Sequence, residues 1–138
     1  MQLTGYLIFN GQAEAAFNFY AKSLGGKITL LSRFGEMPDC GDFSAEDKQR
    51  VMHATLEVGN QRLMTSDSHP SMGYDGIKGF SIAIGVDTVA ESERFFNALK
   101  EGGEVDMPLG KTFWSESFGM LRDKFGVSWM INCEKEAG

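Results

Sequence analysis

Two histidines and a scatter of acids are the groups of this 138-residue chain from which chemistry near neutral pH would start. His53 and Glu57 fall on one face of a stretch with period two, the arrangement of an imidazole whose protonation an acid tunes. His53 is therefore the candidate catalytic residue, a general acid or base. The pair does not clasp one metal ion directly: four residues of strand leave the side chains about 13 Å apart, against ligand distances of about 2 to 2.5 Å for a divalent ion. A metal held by His53 with acids brought from elsewhere stays open as the alternative. His69 stands among Pro70, Gly73 and Gly76 and reads as a solvated loop histidine. Ser115 and Ser117 flank Glu116, yet no pattern pairs either serine, or Cys133, with a histidine base. Cys40 and Cys133 form no close-spaced motif and read as reduced thiols.

The elements that must hold these groups come as a repeat. Ala13, Glu14, Phe19, Ala21, Gly25 and Gly26 reappear in the same order as Ala90, Glu91, Phe96, Ala98, Gly102 and Gly103. In the first copy, residues 3–9 predict a buried strand closed by Asn10 and Gly11, with Asn10 as the helix cap. Ala13, Ala16, Phe17, Tyr20 and Leu24 follow a period of 3.6 and give the helix one apolar face. Gly25 ends the helix, and residues 27–34, 52–58 and 61–66 are strands, the last two a hairpin turning at Gly59 and Asn60. Residues 35–49, rich in acids and turn formers from Glu36 and Pro38 through Asp39 to Asp47, read as a long loop. The second copy opens on Phe80, Ile82, Ile84 and Val86, and its helix starts with a capping box at Thr88 and Glu91. Residues 105–109, 118–123 and 127–133 complete it. The glycine pairs end helices, so they are no phosphate cradle, which would have to open one. Each copy reads β-α-β-β-β, an α+β pattern, with module one over 1–67, a linker over 68–78 and module two over 79–138.

Composition narrows the partners. A net charge of −6 with no basic stripe argues against nucleic acid and anionic membranes. No basic and apolar leader opens the chain and no apolar run approaches the roughly 18 residues of a membrane span, so a cytoplasmic protein is expected.

Phe34 to Pro38, Met52 to Ala54, Leu63 to Asp67, Phe113-Trp114 and above all Asp123 to Asn132 resemble the PhnB-like family. That family lies in the vicinal oxygen chelate superfamily, with glyoxalase, bleomycin-resistance proteins and extradiol dioxygenases. The resemblance implies two tandem βαβββ modules forming a curved mixed sheet, each module half a barrel, with helices outside and a concave central pocket. It also implies a homodimer. Metal-binding members place ligands on the first and last strands of each module, positions that fall here near Thr4 or Gly5, at Ser81, and near Met64 and Met130. None is a histidine or carboxylate, so no metal ligand set and no cofactor is expected. Some members carry a demethylubiquinone methyltransferase-like name, but no glycine-rich strand-to-helix turn for S-adenosylmethionine is present.

Strand alternation then nominates the residues that look away from the helices: Tyr6, His53, Thr55, Glu57, Arg62, Met64, Ser81, Ser128, Met130 and Asn132. Tyr6, Thr55, Glu57, Met64, Ser81 and Met130 are candidate ligand contacts, with Trp114 at the pocket mouth, in a hydrophobic plug or in a dimer interface, and Arg122 facing an anionic group or paired with Asp123 or Glu116. Methionines at such places also serve as plain core filling. Three readings follow: a metal-free binder of a small organic molecule; an enzyme of lyase, isomerase or dioxygenase type acting around His53; and a ligand-free interaction module using Trp114 and the acidic loop.

Overall fold

The computed structural model describes residues 1–38 and 40–134; Asp39, counted among the loop acids, and residues 135–138 of the second module lie outside the described residues. The chain divides into two compact units, Met1–Ile77 and Lys78–Gly138.

In the first unit, β1 (Gly5–Phe9), α1 (Ala13–Leu24), β2 (Lys27–Arg33), β3 (Val51–Val58) and β4 (Gln61–Asp67) build one sheet of order β1-β4-β3-β2. β1 runs parallel to β4, and the other neighbours are antiparallel. Helix α1 buries Ala13, Ala16, Phe17 and Tyr20, the face the period of 3.6 assigns to it. That face packs with the odd residues Leu7 and Phe9 of β1 and with Ala54 and Leu56 of β3, all at most 2 % exposed. Full burial of one such large apolar side chain stabilises the fold by about 2 kcal/mol.

The cap of α1 differs from expectation. Asn10 Oδ1 accepts from Arg50 Nη2 at 2.9 Å, and the helix start is closed by a residue distant in sequence. Asp67, 2 % exposed at the end of β4, accepts from the Gly11 and Ala13 amides with Oδ1 at 2.8 and 3.0 Å, and from the Val51 amide with Oδ2 at 2.8 Å. A buried carboxylate facing the positive end of a helix is well placed electrostatically.

The expected loop over 35–49 carries short helical turns, Phe34–Glu36 and Cys40–Asp42, and a short helix α2 (Ala45–Gln49) capped by Ser44, whose Oγ accepts from the Asp47 amide at 3.0 Å. His69 is half-buried rather than fully solvated. Its ring meets Phe34 and Phe43 edge-on at 5.4 and 5.5 Å, and its Nδ1 accepts from the Ser71 amide at 3.1 Å. These contacts tie the segment after β2 to the one after β4.

The second unit repeats the plan with β5 (Ile82–Val86), α3 (Val89–Leu99), β6 (Glu104–Gly110), β7 (Ser115–Arg122) and β8 (Ser128–Glu134), in sheet order β5-β8-β7-β6. Ser92, Phe96 and Leu99 of α3 are buried, as are Leu121, Trp129 and Ile131 of the sheet. Thr88 Oγ1 accepts from the Glu91 amide at 3.1 Å, while Glu91 takes the threonine hydroxyl at 3.2 Å rather than the Thr88 amide, so the capping box is formed on one side only.

One expectation is overturned. Neither sheet is closed or strongly curled, so the modules are not half-barrels with a concave interior. Each is an open four-stranded sheet with β1 and β2, or β5 and β6, as free edges within its order. Closure demands strongly tilted strands and a fixed stagger, which so few strands do not supply. Each sheet therefore has one face under its helix and one face that its helix leaves uncovered.

Candidate functional site

The uncovered face of the first sheet collects most of the polar candidates. Register sets Tyr6 opposite Met64 and Met64 opposite Thr55, so the three form one row across β1, β4 and β3. His53 joins them. Tyr6 Oη lies 3.3 Å from His53 Nδ1 with the rings 5.8 Å apart, and Thr55 Oγ1 lies 3.3 Å from His53 Nε2. Both imidazole nitrogens thus face a hydroxyl. A neutral imidazole has one donor and one acceptor nitrogen, and each hydroxyl rotates to match whichever tautomer is present. Tyr6 is 43 % exposed and Thr55 7 %, so the chain runs from an open end to a buried one.

Glu57 lies further along β3, where Arg62 of β4 pairs with it at 3.3 Å. This exposed pair lines a cleft of about 370 Å³ with Thr4, Asn60 and Gln61. The remaining candidates belong to the second unit. Ser81 is exposed just before β5, and Met130 lies on the uncovered face opposite Met120. Trp114 is 47 % exposed and stacks edge-on against Phe113 at 4.7 Å and Phe118 at 5.6 Å. Arg122 sits opposite Glu104 and Ser128, whereas Glu116 pairs with Lys111 at 3.8 Å and Asp123 is buried.

Asp123 is the residue the sequence reading undervalued. Its Oδ1 accepts from the Phe125 and Val127 amides at 2.8 and 3.1 Å, and its Oδ2 from Trp129 Nε1 at 2.8 Å. The stretch from Asp123 to Trp129 is therefore a hairpin staple. The signal lay in an acid followed at short range by a glycine turn and a tryptophan. Among the thiols, burial pushes Cys133 above the ordinary range, with Glu116, Asp87 and Glu91 adding to it. That makes it a poor nucleophile, since the thiolate is the reactive form.

Among the described residues, no group of three His, Cys, Asp or Glu side chains is placed to hold a metal ion, and no helix is long and apolar enough to cross a membrane. The fold is that of solved glyoxylase/bleomycin resistance protein/dioxygenase domains. Together with the relatives described next, that fold makes this a PhnB-like protein. The profile of the family described as 3-demethylubiquinone-9 3-methyltransferase matches residues 1–132, and the chain belongs to that family. Protein YjdN of Escherichia coli K12 is 35 % identical over 99 % of this chain and 97 % of its own. Protein PA1353 of Pseudomonas aeruginosa is 52 % identical, covers 99 % of both chains and superposes with a TM-score of 0.89. The PhnB protein of Bacillus cereus is 31 % identical over 96 % of this chain and 99 % of its own, with a TM-score of 0.78.

The family description names a methyl transfer, and the strand-to-helix turns test whether a methyl-donor nucleoside fits. Such a turn offers unpaired backbone amides to its ligand. Here the Gly11 and Ala13 amides are spent on Asp67, and the Glu91 amide on Thr88. Neither turn fits the group, and no step through it is derived.

Proposed function

We propose that the uncovered face of the first sheet binds a small, polar organic molecule without a metal ion. Tyr6, His53, Thr55 and Met64 form its floor, and the Glu57–Arg62 cleft forms its charged end. The observation that carries this reading is the Tyr6–His53–Thr55 chain. A ligand that donates to Tyr6 Oη leaves the tyrosine hydroxyl to donate into His53, and one that accepts from Tyr6 is served by the other tautomer. The same chain carries a proton between ligand and imidazole, which is the role open to His53 in acid-base chemistry. Met64 supplies an adaptable apolar contact, and the cleft of about 370 Å³ falls in the usual size range of small-ligand sites. Ser81, Trp114, Arg122 and Met130 belong to the second unit.

The test is a ligand-observed NMR screen of small polar organic molecules, run with and without divalent ions. Hits are expected to bind equally in both conditions, and Tyr6→Phe and His53→Ala to weaken them about tenfold, the worth of one hydrogen bond. Hits that need the metal, or that ignore both substitutions, would overturn the reading.

The reading places the protein in the cytoplasm as a homodimer that binds neither nucleic acid nor membrane. The net charge of −6 supports this setting, as does the exposed Val105 of edge strand β6. Light scattering at micromolar concentration is expected to give twice the chain mass; a monomer would refute the dimer.

A further inference from the structure

The uncovered face of the second sheet carries a feature of different chemistry. Met107 on β6 pairs with Met120 on β7, and Met120 pairs with Met130 on β8. Three thioethers therefore stand side by side on adjacent strands. For Met120 and Met130 this follows from alternation, since their neighbours Leu121, Trp129 and Ile131 are buried at 1 % exposure or less on the other face. Met107 is there for another reason. Val105 pairs with Leu121 of the helix-covered side, and simple alternation would send Met107 to that side too. A bulge between Val105 and Met107 inserts Asp106, and the next pair is Met107 with Met120. A second shift follows before Gly110. Bulges of this kind re-aim a side chain, and here the result is a methionine brought into line with two others.

Partners directly opposite on neighbouring strands have Cβ atoms about 5 Å apart. The methionine side chain is unbranched, with its sulfur two bonds beyond Cβ, so the outer two members can lean toward the middle one. The rows on either side are Glu104, Arg122 and Ser128 at one end and Gly110, Phe118 and Asn132 at the other. None of these six is a histidine or a thiol. Met107 is 42 % exposed, and Met120 and Met130 are half-buried, so an ion has an approach and a partly dry seat.

We propose that Met107, Met120 and Met130 bind one soft monovalent cation of the copper(I) class through their thioether sulfurs. Thioethers select soft ions of this kind and hold hard divalent ions weakly. Binding releases no proton, because a thioether has none to lose, so affinity is independent of pH. A histidine or cysteine site behaves otherwise, since its ligands must first be deprotonated. The site is separate from the one proposed on the first sheet and does not depend on it.

Silver(I) is the probe, added in chloride-free buffer to the Cys40→Ala protein with methyl-labelled methionines, the substitution removing the more accessible thiol. The methyl resonances of Met107, Met120 and Met130 are expected to shift together and saturate at one ion per chain, with Met52 and Met64 unmoved. Mildly acidic and neutral buffers are expected to give the same affinity. Met120→Leu, close to volume-conserving, is expected to weaken binding at least about tenfold. Met107→Leu, at the most exposed of the three positions, repeats the test where folding is least at risk. Three results would overturn the proposal: no joint shift at excess silver, affinity that falls as pH falls, or binding unchanged in both leucine variants.

Discussion

Gly103→Ala is expected to destabilise the protein by about 3 kcal/mol or more, lowering Tm by roughly 10 °C. A methyl group at Gly103 would be driven against the carbonyl oxygen of Arg122 and would lie 2.9 Å from both the Cα and the carbonyl carbon of Asp123. All of these are backbone atoms, so no flexible side chain can yield. The backbone they belong to is the turn between β7 and β8, which Asp123 holds in place. The cost is therefore one of overpacking against a rigid neighbour. The first copy repeats the arrangement, with an added Cβ at Gly26 lying 2.5 Å from the Glu57 carbonyl oxygen. Gly26→Ala should be costly for the same reason. Gly85→Ala is the control: a Cβ there meets nothing within 4 Å, and loss of unfolded-chain freedom makes the change neutral or mildly stabilising. Thermal unfolding followed by circular dichroism reads all three. Equal midpoints for Gly103→Ala and Gly85→Ala would refute the close-approach account.

Asp123→Asn should cost about 3 kcal/mol at nearly constant volume. The carboxylate accepts from two backbone amides and the Trp129 indole, and it is 3 % exposed. An asparagine has one acceptor oxygen and one amide nitrogen, so in either orientation a donor is turned toward a donor. With Oδ1 kept, the indole is orphaned; with Oδ2 kept, both amides are. Urea titration is expected to show a lower midpoint with an unchanged slope, and near-ultraviolet circular dichroism a changed signal from Trp129. A midpoint like that of the unaltered protein would remove Asp123 from its role as staple. The stretch with the most specific family resemblance, Asp123 to Asn132, spends its acid and its tryptophan on holding a hairpin.

The comparison between chain and fold separates two kinds of property. Local regularities were open to reading. The period of 3.6 in Ala13, Ala16, Phe17 and Tyr20 named the buried face of α1, because a helix with one partner buries one stripe. Alternation placed His53 and Thr55 together on the face opposite Ala54 and Leu56, because successive strand side chains point to opposite sides. The repeat predicted the order of strands and main helix in both units, but not the short helix α2 inserted in the first. Pairings between distant segments were not open. That β1 lies beside β4 decides that Tyr6 reaches His53 across the sheet, and that Asp67 caps a helix far from it in sequence. The half-barrel came from resemblance alone, and curl is a property of whole ladders that no single strand displays. Met107 shows the division within one side chain. Its type is written in the chain, but its face is decided by a bulge, which exists only once β6 and β7 pair in a register that leaves Asp106 over.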